Sequence, residues 1–230
     1  MLHKGYRLFL FKIFNASLAA AHMTNRYTVQ GAQGEFQPGS NDLVLANQLG
    51  ITSVEEMNEL ELYLLQQLYE EVLLAQLPNR AVQVADLKTW HRRWLGNVYD
   101  WAGQERSVNM SKGGFMFAAA PQIPRLLADF ERSCLARWTP CQGMDADTLA
   151  EAMAITHVEF ILIHPFREGN GRLSRLLADV MAVQSGRGPL DYSAWNAHKA
   201  AYIQAIHQGV EMNYAPMKQL FVQALNAGQA

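Results

Sequence analysis

The residue types that could do chemistry are concentrated in one short segment, which runs from His164 to Arg172. Its order is His-Pro-Phe-Arg-Glu-Gly-Asn-Gly-Arg, and it lies between two apolar stretches of helical periodicity. Proline disfavours helical backbone at the preceding residue, so the first helix should end at His164 and present the imidazole to the loop. An imidazole that is largely neutral near pH 7 is suited to act as a general base. The segment therefore predicts a site with a histidine base between two helices.

The same segment has the features of a phosphate cradle. Gly169 and Gly171 permit backbone conformations that other residues resist, and they let a ligand approach the main chain. The N–H groups at the start of the next helix favour an anion. Arg172, and Arg175 three residues later, could bind phosphate oxygens, and Glu168 could bind Mg²⁺ together with those phosphates. We expect a metal–nucleotide site where the histidine deprotonates a hydroxyl that attacks phosphorus. The spacing does not say which phosphorus.

Hydrophobic periodicity places this loop within a mostly helical chain. Residues 106 to 117 instead alternate around Lys112-Gly113-Gly114, as a two-stranded hairpin would, and residues 24 to 50 resemble a polar entry loop. We expect an all-α fold of about seven or eight helices with one β-hairpin, and no second strand candidate. The predicted helical stretches are residues 53 to 77, 84 to 99, 124 to 137, 145 to 163, 171 to 184, 192 to 208 and 214 to 225.

Composition excludes several classes of protein. The 230 residues are 50% hydrophobic and 17% charged, which is ordinary for a folded domain, and the formal net charge of -2 argues against direct binding of nucleic acid. Cys134 and Cys141 have neither a zinc spacing nor a disulfide framework, which indicates reduced thiols in a cytoplasmic protein. No stretch predicts a membrane span.

The N-terminus imitates a secretory signal but does not complete one. Lys12 interrupts the apolar run that begins at Leu8 after only four residues. We expect Met23 to be the natural start, with residues 1 to 22 a non-native or disordered extension. Residues 23 to 230 would then form one domain, because no linker rich in Pro, Gly or Ser divides them.

The nine-residue loop resembles the signature of the Fic (filamentation induced by cAMP) family, H-P-F-x-[D/E]-G-N-[G/K]-R, with every fixed position present. The similarity covers about residues 25 to 225 and supports Met23 as the start. It implies the Fic fold and a protein adenylyltransferase, which uses ATP and Mg²⁺ to transfer AMP to a Ser, Thr or Tyr hydroxyl of a target protein. Further segments resemble family landmarks: Glu35 to Ser40, Leu43 to Asn47, Tyr99 to Gly103 and Ser111 to Phe115.

The resemblance also implies a role for individual positions. His164 would be the catalytic base, Glu168 would ligate Mg²⁺, and Phe166 would anchor the loop in the core. The hairpin from Lys112 to Phe117 would be a flap that aligns the extended backbone of the target by strand addition and covers the nucleotide. The residues implied to bind nucleotide are Asn47, Lys112, Gly113, Gly114, Phe115, Arg167, Gly169, Asn170, Gly171, Arg172 and Arg175.

Two departures from family patterns bear on activity and regulation. Position 171 is Gly, whereas Doc-type relatives that transfer a terminal phosphate carry Lys there, which favours AMP transfer. An internal inhibitory helix, [S/T]-x-x-x-E-[G/N], is not evident, because Thr52 and Glu56 have the spacing but Met57 follows. The inhibitor is therefore expected to be a separate small antitoxin chain. Relatives in toxin–antitoxin pairs modify type II topoisomerases, which makes a topoisomerase the target that the resemblance implies.

Simpler interpretations remain beside these. The loop could be a solvated turn, the whole chain a catalytically silent interaction module, or the activity that of a Doc-like kinase or of a phosphodiesterase that removes AMP. A nucleotide other than ATP, such as UTP, is not excluded. Arg175 could form a surface salt bridge, and Lys112-Gly113-Gly114 could be an ordinary hairpin turn. We expect His157 to be a satisfied core histidine, and the cluster of Trp90, Trp94 and Trp101 to be core.

Overall fold

The computed structural model describes residues 28–30 and 32–227. Helices account for most of these residues, and a small antiparallel sheet has the strand order β1-β2-β3. The strands are β1 (Thr28–Gln30), β2 (Asn109–Lys112) and β3 (Phe115–Met116). The helices are α1 (Val54–Glu70), α2 (Val84–Leu95), α3 (Ile123–Phe130), α4 (Ala146–Ile163), α5 (Asn170–Gln184), α6 (Ser193–Ala197), α7 (Lys199–Gln208) and α8 (Ala215–Ala227). The prediction of a mostly helical fold with seven or eight helices and a hairpin is confirmed.

Helices α4 and α5 form the centre of the fold. Most residues of both are buried, as expected for helices that are covered on several sides. One apolar cluster joins them to α1, α2 and α3, and a second joins them to α6, α7 and α8. The predicted Trp90 and Trp94 belong to the first cluster, with Trp101 packed partly buried against it. The loop between α4 and α5 is therefore held from both sides.

Local sequence signals set the ends of the helices. Ser53 caps α1 by accepting a hydrogen bond from the Glu56 N–H, and Asp145 caps α4 by accepting from the N–H groups of Asp147 and Thr148. Helix α1 continues through a π-helical turn, Glu71–Ala75, and ends before Pro78. Helix α3 continues through a second π-helical turn, Glu131–Leu135, as far as Trp138.

The structure corrects the sequence-based elements in three places. A third strand, β1, pairs with β2 through the register Val29 to Met110, although the polar segment before residue 50 was expected to be a loop. Helix α2 ends at Leu95 rather than continuing to residue 99. The helix predicted over residues 192 to 208 is interrupted at His198, whose φ of -115° and ψ of 47° are not helical. The predicted extension over residues 1 to 22 lies outside the described residues.

Membrane insertion receives no support from these helices. Over residues 28–30 and 32–227, none combines the length and the apolar character that a membrane crossing requires. Cys134 and Cys141 are both buried free thiols.

Candidate active site

The predicted loop is built as the proline and glycines suggested. Helix α4 ends at His164, whose N–H still donates to the carbonyl of Phe160 at 3.0 Å, and α5 begins at Asn170. His164 itself has the left-handed backbone, with φ 50° and ψ 58°. A side chain other than glycine is rare there and costs free energy, so surrounding contacts must hold it. Strain of this kind is frequent at functional sites.

The imidazole of His164 is buried and oriented by two contacts. Its Nδ1 lies 3.1 Å from the carbonyl oxygen of Ile161, and its ring stacks on Phe117 with ring centroids 3.8 Å apart. Because a carbonyl oxygen only accepts hydrogen bonds, Nδ1 carries the proton and Nε2 is the basic nitrogen of the neutral ring. This is the tautomer that a general base requires.

Burial also keeps the His164 ring neutral. Removal from water lowers its pKa to about 3, and the nearby charges of Arg106 and Lys112 act in the same direction. The hydrogen bond to Ile161 and the carboxylate of Glu168 act against this shift but do not overcome it. At neutral pH the side chain is therefore deprotonated and able to accept a proton.

Phe166 anchors the middle of the loop, as its sequence position implied. Its ring is buried and stacks on His91 with centroids 4.1 Å apart. The carboxamide of Asn170 accepts from the Phe166 N–H at 2.9 Å and donates to the Phe166 carbonyl at 2.7 Å. Both ends of that carboxamide are thus committed to the loop, so Asn170 would offer a phosphate its backbone N–H rather than its side chain.

His91 on α2 supports the loop, although no role was predicted for it from the sequence. Its Nδ1 accepts from the Gly103 N–H at 2.8 Å, which requires that Nε2 carry the proton. That Nε2–H donates to the carbonyl of Glu168 at 3.1 Å. Burial lowers the pKa of His91 to about 4, so this neutral tautomer persists at pH 7. The ring therefore fixes the backbone that carries the predicted metal ligand.

Gly169 must be glycine at its place in the loop. Its φ is 80°, and an added Cβ would lie 2.6 Å from Cζ3 of Trp94. In contrast, a Cβ at Gly171 would meet no atom within 4 Å. The first turn of α5, where N–H groups lack intrahelical partners, is therefore open on the side of Gly171, as the expected phosphate site requires.

The carboxylate of Glu168 lies at this helix start. Its Oε1 accepts from the Gly169 N–H at 3.0 Å and lies 3.3 Å from Nη2 of Arg172. Across residues 28–30 and 32–227, no group of three or more His, Cys, Asp or Glu side chains could hold a metal ion alone. A single carboxylate beside a phosphate cradle nevertheless fits Mg²⁺, which commonly takes one or two carboxylates together with substrate phosphates and water.

Arg172 contacts side chains of two other helices. Its Nη1 lies 2.7 Å from Oε2 of Glu61 on α1, and its guanidinium lies 4.5 Å from the ring centre of Trp94. Glu61 is fully buried and also accepts from the Tyr99 hydroxyl at 2.8 Å. Burial disfavours the charged guanidinium, but Glu61 and Glu168 outweigh burial and raise the pKa of Arg172. Glu61 is a second site residue that the sequence did not reveal.

Replacing Glu61 by glutamine should lower the free energy of unfolding by about 1–3 kcal/mol, because a buried ion pair would lose one charge while Arg172 stays in place. Arg172 keeps a quarter of its side chain exposed, which limits the loss. The matched control is Glu71→Gln in the exposed pair with Arg93, where the N···O distance is also 2.7 Å. Its cost should stay below about 1 kcal/mol. Urea denaturation of both variants measures the difference; equal costs would contradict a stabilising Glu61–Arg172 pair.

Arg175 is placed differently from Arg172, although both were expected beside the phosphates. Its guanidinium lies over the rings of Tyr192 and Trp195, 5.0 and 5.8 Å from their centres, and Nη2 donates to the side chain of Asn196 at 3.2 Å. The two arginines of α5 are therefore held by different parts of the fold. The phosphate contact of Arg175 remains a prediction, and the alternative of a surface salt bridge does not describe its surroundings.

The predicted flap is the β2–β3 hairpin. Gly113 and Gly114 form its two-residue turn with φ of 56° and 81°, the positive values that a type I′ turn requires. Strand β3 pairs with β2 on one side and lies at the edge of the described sheet. Phe115 stacks on His207 of α7, and Phe117 just beyond β3 stacks on His164. The hairpin thus lies beside the imidazole.

Asn47 and Arg167, two further residues expected to bind nucleotide, form hydrogen bonds with backbone groups. The carboxamide of Asn47 donates to the carbonyls of Leu45 and Ile51 and accepts from the Ile51 N–H, which stabilises its own turn. Arg167 is buried, and its Nε donates to the carbonyl of Gln33 at 2.8 Å. Their contacts with a nucleotide remain predictions.

His157 is the core histidine that its position suggested. It is buried, its Nε2 lies 2.8 Å from the Tyr202 hydroxyl, and its ring packs edge-on against Trp195 and Phe221. It belongs to the packing between α4 and the C-terminal helices rather than to the loop.

A buried histidine, a glycine-bounded loop and an open helix N-terminus together fit a nucleotide-dependent transfer site, and comparisons with known proteins show which family the central part of the chain resembles. The model of the Fic/DOC family matches residues 81–182, which include α2, the hairpin, α4 and the complete loop. Residues 81–182 therefore match a Fic/DOC family domain.

The relatives agree in their names. The probable protein adenylyltransferase y4lH of Sinorhizobium fredii is 28% identical over 149 residues, which is 65% of this chain and 74% of that protein. The probable protein adenylyltransferase Fic of Escherichia coli is 26% identical over 63% of this chain and 70% of its own. Protein adenylyltransferase VbhT of Bartonella schoenbuchensis is 34% identical, but only 21% of that longer protein is matched. The chain is thus a homologue of protein adenylyltransferases.

Solved structures show the same fold. The N-terminal Fic domain of a Bartonella quintana cell filamentation protein with bound ADP has a TM-score of 0.68 and 25% identity, covering 82% of this chain and 92% of that one. BepC of Bartonella tribocorum with bound AMPPNP has a TM-score of 0.69 and 24% identity, covering 84% and 96%.

Proposed function

We propose that this chain is a protein adenylyltransferase, which transfers AMP from ATP to a Ser, Thr or Tyr hydroxyl of a target protein. The observation that carries the proposal is the loop between α4 and α5. It places a neutral, correctly protonated imidazole at the end of one helix, and an open helix N-terminus with a carboxylate and an arginine at the start of the next. This arrangement supports a nucleotidyl-transfer site with a base and a phosphate cradle, and the homologues are named protein adenylyltransferases.

The proposed reaction uses His164 as the general base. Nε2 accepts the proton of the target hydroxyl, whose oxygen attacks the α-phosphorus of ATP. The bond from that phosphorus to the bridging oxygen of the β-phosphate breaks, and pyrophosphate leaves. The N–H groups at the start of α5 would stabilise the negative charge that develops on the phosphate oxygens.

Mg²⁺ is the cofactor that this site would require. Glu168 would hold it together with phosphate oxygens, and the bound ion would neutralise negative charge on the triphosphate. The electrostatics favour such an ion, because the two carboxylates of Glu61 and Glu168 surround Arg172, so its single positive charge cannot also compensate a triphosphate. The ADP and AMPPNP in related structures support an adenine nucleotide as ligand.

The target would be recognised through the flap. An extended segment could add to β3 as a further antiparallel strand and bring its hydroxyl to His164, which the Phe117 ring contacts. Pairing of this kind uses backbone groups, so it selects an extended segment more than a side-chain sequence. A type II topoisomerase is the target that the family resemblance suggests.

Regulation by a separate antitoxin chain is a further part of the proposal, with a cytoplasmic location. Its support is the sequence, in which Glu56 has the spacing of the inhibitory motif without the following Gly or Asn. In the structure Glu56 is exposed in the first turn of α1. Capture of a small partner by the tagged chain from its native lysate tests this part, and copurification of none would count against it.

The reaction is tested by identifying its products. The chain is incubated with ATP, Mg²⁺ and a bacterial lysate, and modified peptides are sequenced by mass spectrometry. Adenylylated Ser, Thr or Tyr together with released pyrophosphate is the expected result. Phosphorylated peptides with ADP would replace the proposal with the Doc-like kinase, and unmodified peptides under conditions where ATP binds would favour an interaction module.

A further inference from the structure

Arg106 lies outside the signature loop, yet it is among the most buried side chains of the chain. It follows the turn after α2 and precedes β2, and only 2% of its surface is exposed. A buried guanidinium must have its charge and its donors satisfied. Burial lowers the pKa of Arg106 to about 10, which still leaves it positively charged at neutral pH.

Four of its five N–H donors bind backbone carbonyls, which belong to two structural elements. Toward the loop, Nε donates to the carbonyl of His164 at 2.7 Å, and Nη2 donates to that of Ile163 at 3.3 Å. Toward the hairpin, Nη1 donates to the carbonyl of Val108 at 2.5 Å, and Nη2 donates to that of Ala118 at 2.6 Å. The carbonyls at the end of α4 also carry the negative pole of the helix dipole, which favours a cation there.

The positions of these four carbonyls show which parts of the fold Arg106 connects. Val108 directly precedes β2 and Ala118 follows shortly after β3, so one guanidinium joins both ends of the flap. The same group holds the carbonyl of His164, the residue with left-handed backbone. Phe117 provides a second connection, since its N–H pairs with Met110 of β2 while its ring stacks on His164.

We propose that Arg106 is a positioning residue that couples the flap to the base, so that a target strand bound to β3 meets His164 at a fixed distance. This inference rests on the proposed adenylyl transfer. It requires an arginine, because five N–H donors in a planar fork reach carbonyls on two elements at once, whereas the ammonium of lysine donates from a single point.

The test is Arg106→Lys, with kcat and KM for the target measured beside the dissociation constant of a non-hydrolysable ATP analogue. We expect kcat to fall by about 10²-fold, the order of loss that a misplacement of about 1 Å can cause, and KM for the target to rise. Analogue affinity should change by less than about threefold, because the contacts of Arg172 and Glu168 are untouched. The matched control is Arg187→Lys, an arginine that also donates to a backbone carbonyl, that of Met144, away from the loop. It should retain normal kinetics.

Each outcome decides the inference. Equal losses of analogue affinity and transfer, or a loss that only follows the folded fraction measured by circular dichroism, would overturn it. If Arg106→Lys does not fold, Arg106→Gln, which buries no charge, is measured in the same way; failure of both variants to fold would leave Arg106 a purely structural residue and overturn the inference. An inactive wild-type chain would contradict the proposed function itself, whereas active wild type with equally active variants contradicts only the coupling.

Discussion

Replacing His164 by alanine should lower the rate of AMP transfer by about 10²–10⁴-fold, the contribution expected of a general base. The structure gives the reason, because the Nδ1–H tautomer leaves Nε2 to accept the hydroxyl proton, and burial keeps the ring neutral. Nucleotide binding should change little, since the proposed phosphate cradle lies at the start of α5 rather than at His164. Initial rates with a labelled target and calorimetric titration of an ATP analogue separate the two effects.

The control for this variant is His198→Ala, which removes an exposed histidine between α6 and α7. Its transfer rate should stay within about twofold of wild type, as for a surface change outside the site. A His164→Ala enzyme that keeps more than about a tenth of the wild-type rate would exclude the imidazole as the base.

The second large effect is a loss of stability in mild acid. Burial lowers the pKa of His91 to about 4 and those of His157 and His164 to about 3. Below the unfolded-state pKa of about 6.5, each histidine binds a proton only when the chain unfolds, so stability falls with falling pH until the folded pKa is reached. Asp179 acts in the opposite direction, because burial raises its pKa to about 7 and the folded state binds the proton first.

Near pH 5 each of the three histidines binds about one more proton in the unfolded chain than in the folded chain, whereas Asp179 binds about one fewer. The unfolded chain therefore carries about two extra protons. The free energy of unfolding should therefore fall by about 3 kcal/mol per pH unit there. Urea denaturation at pH 7, 6 and 5 measures the slope. Asp179→Asn removes the opposing group and should steepen the slope by about one proton, or roughly 1.4 kcal/mol per pH unit. A free energy that is constant or increases from pH 7 to pH 5 would show that these histidines titrate normally.

The parts of the site that the sequence predicted depend on local signals. Pro165 ended α4 at His164, the glycines opened the loop, and Gly113-Gly114 made the hairpin turn. Each signal acts within a few residues, through backbone geometry that the residue type itself determines. The course of the loop could therefore be derived before its surroundings were known.

The site residues that were not predicted from the sequence contact partners that are far away along the chain. Glu61 and Arg172 are 111 positions apart, and their ion pair exists only because α1 packs beside α5. A signal was present for both missed buried groups: Glu61 follows Met57 by one helical turn, and His91 follows Leu87 in the same way, so each is a polar residue on an apolar stripe. Strand β1 was harder to predict, because its three residues are too few for their alternation to distinguish a strand from a loop.

Arg106 shows why the residue types in a sequence do not by themselves identify which groups will contact one another. Its contacts are backbone carbonyls, which every sequence supplies, so no complementary residue marks them. The separation of Arg172 and Arg175 has a similar origin, since aromatic rings from α6 and the segment before it hold the second guanidinium. The contacts of these arginines depend on how the helices pack against one another.

The most direct test of AMP transfer is to incubate the purified wild-type chain with Mg²⁺, a bacterial lysate, and ATP labelled either at the α-phosphate or at the γ-phosphate. We expect protein-bound label from α-labelled ATP and none from γ-labelled ATP, because pyrophosphate carries the γ-phosphate away. Label from γ-labelled ATP, with none from α-labelled ATP, would contradict the account and assign the loop to phosphate transfer.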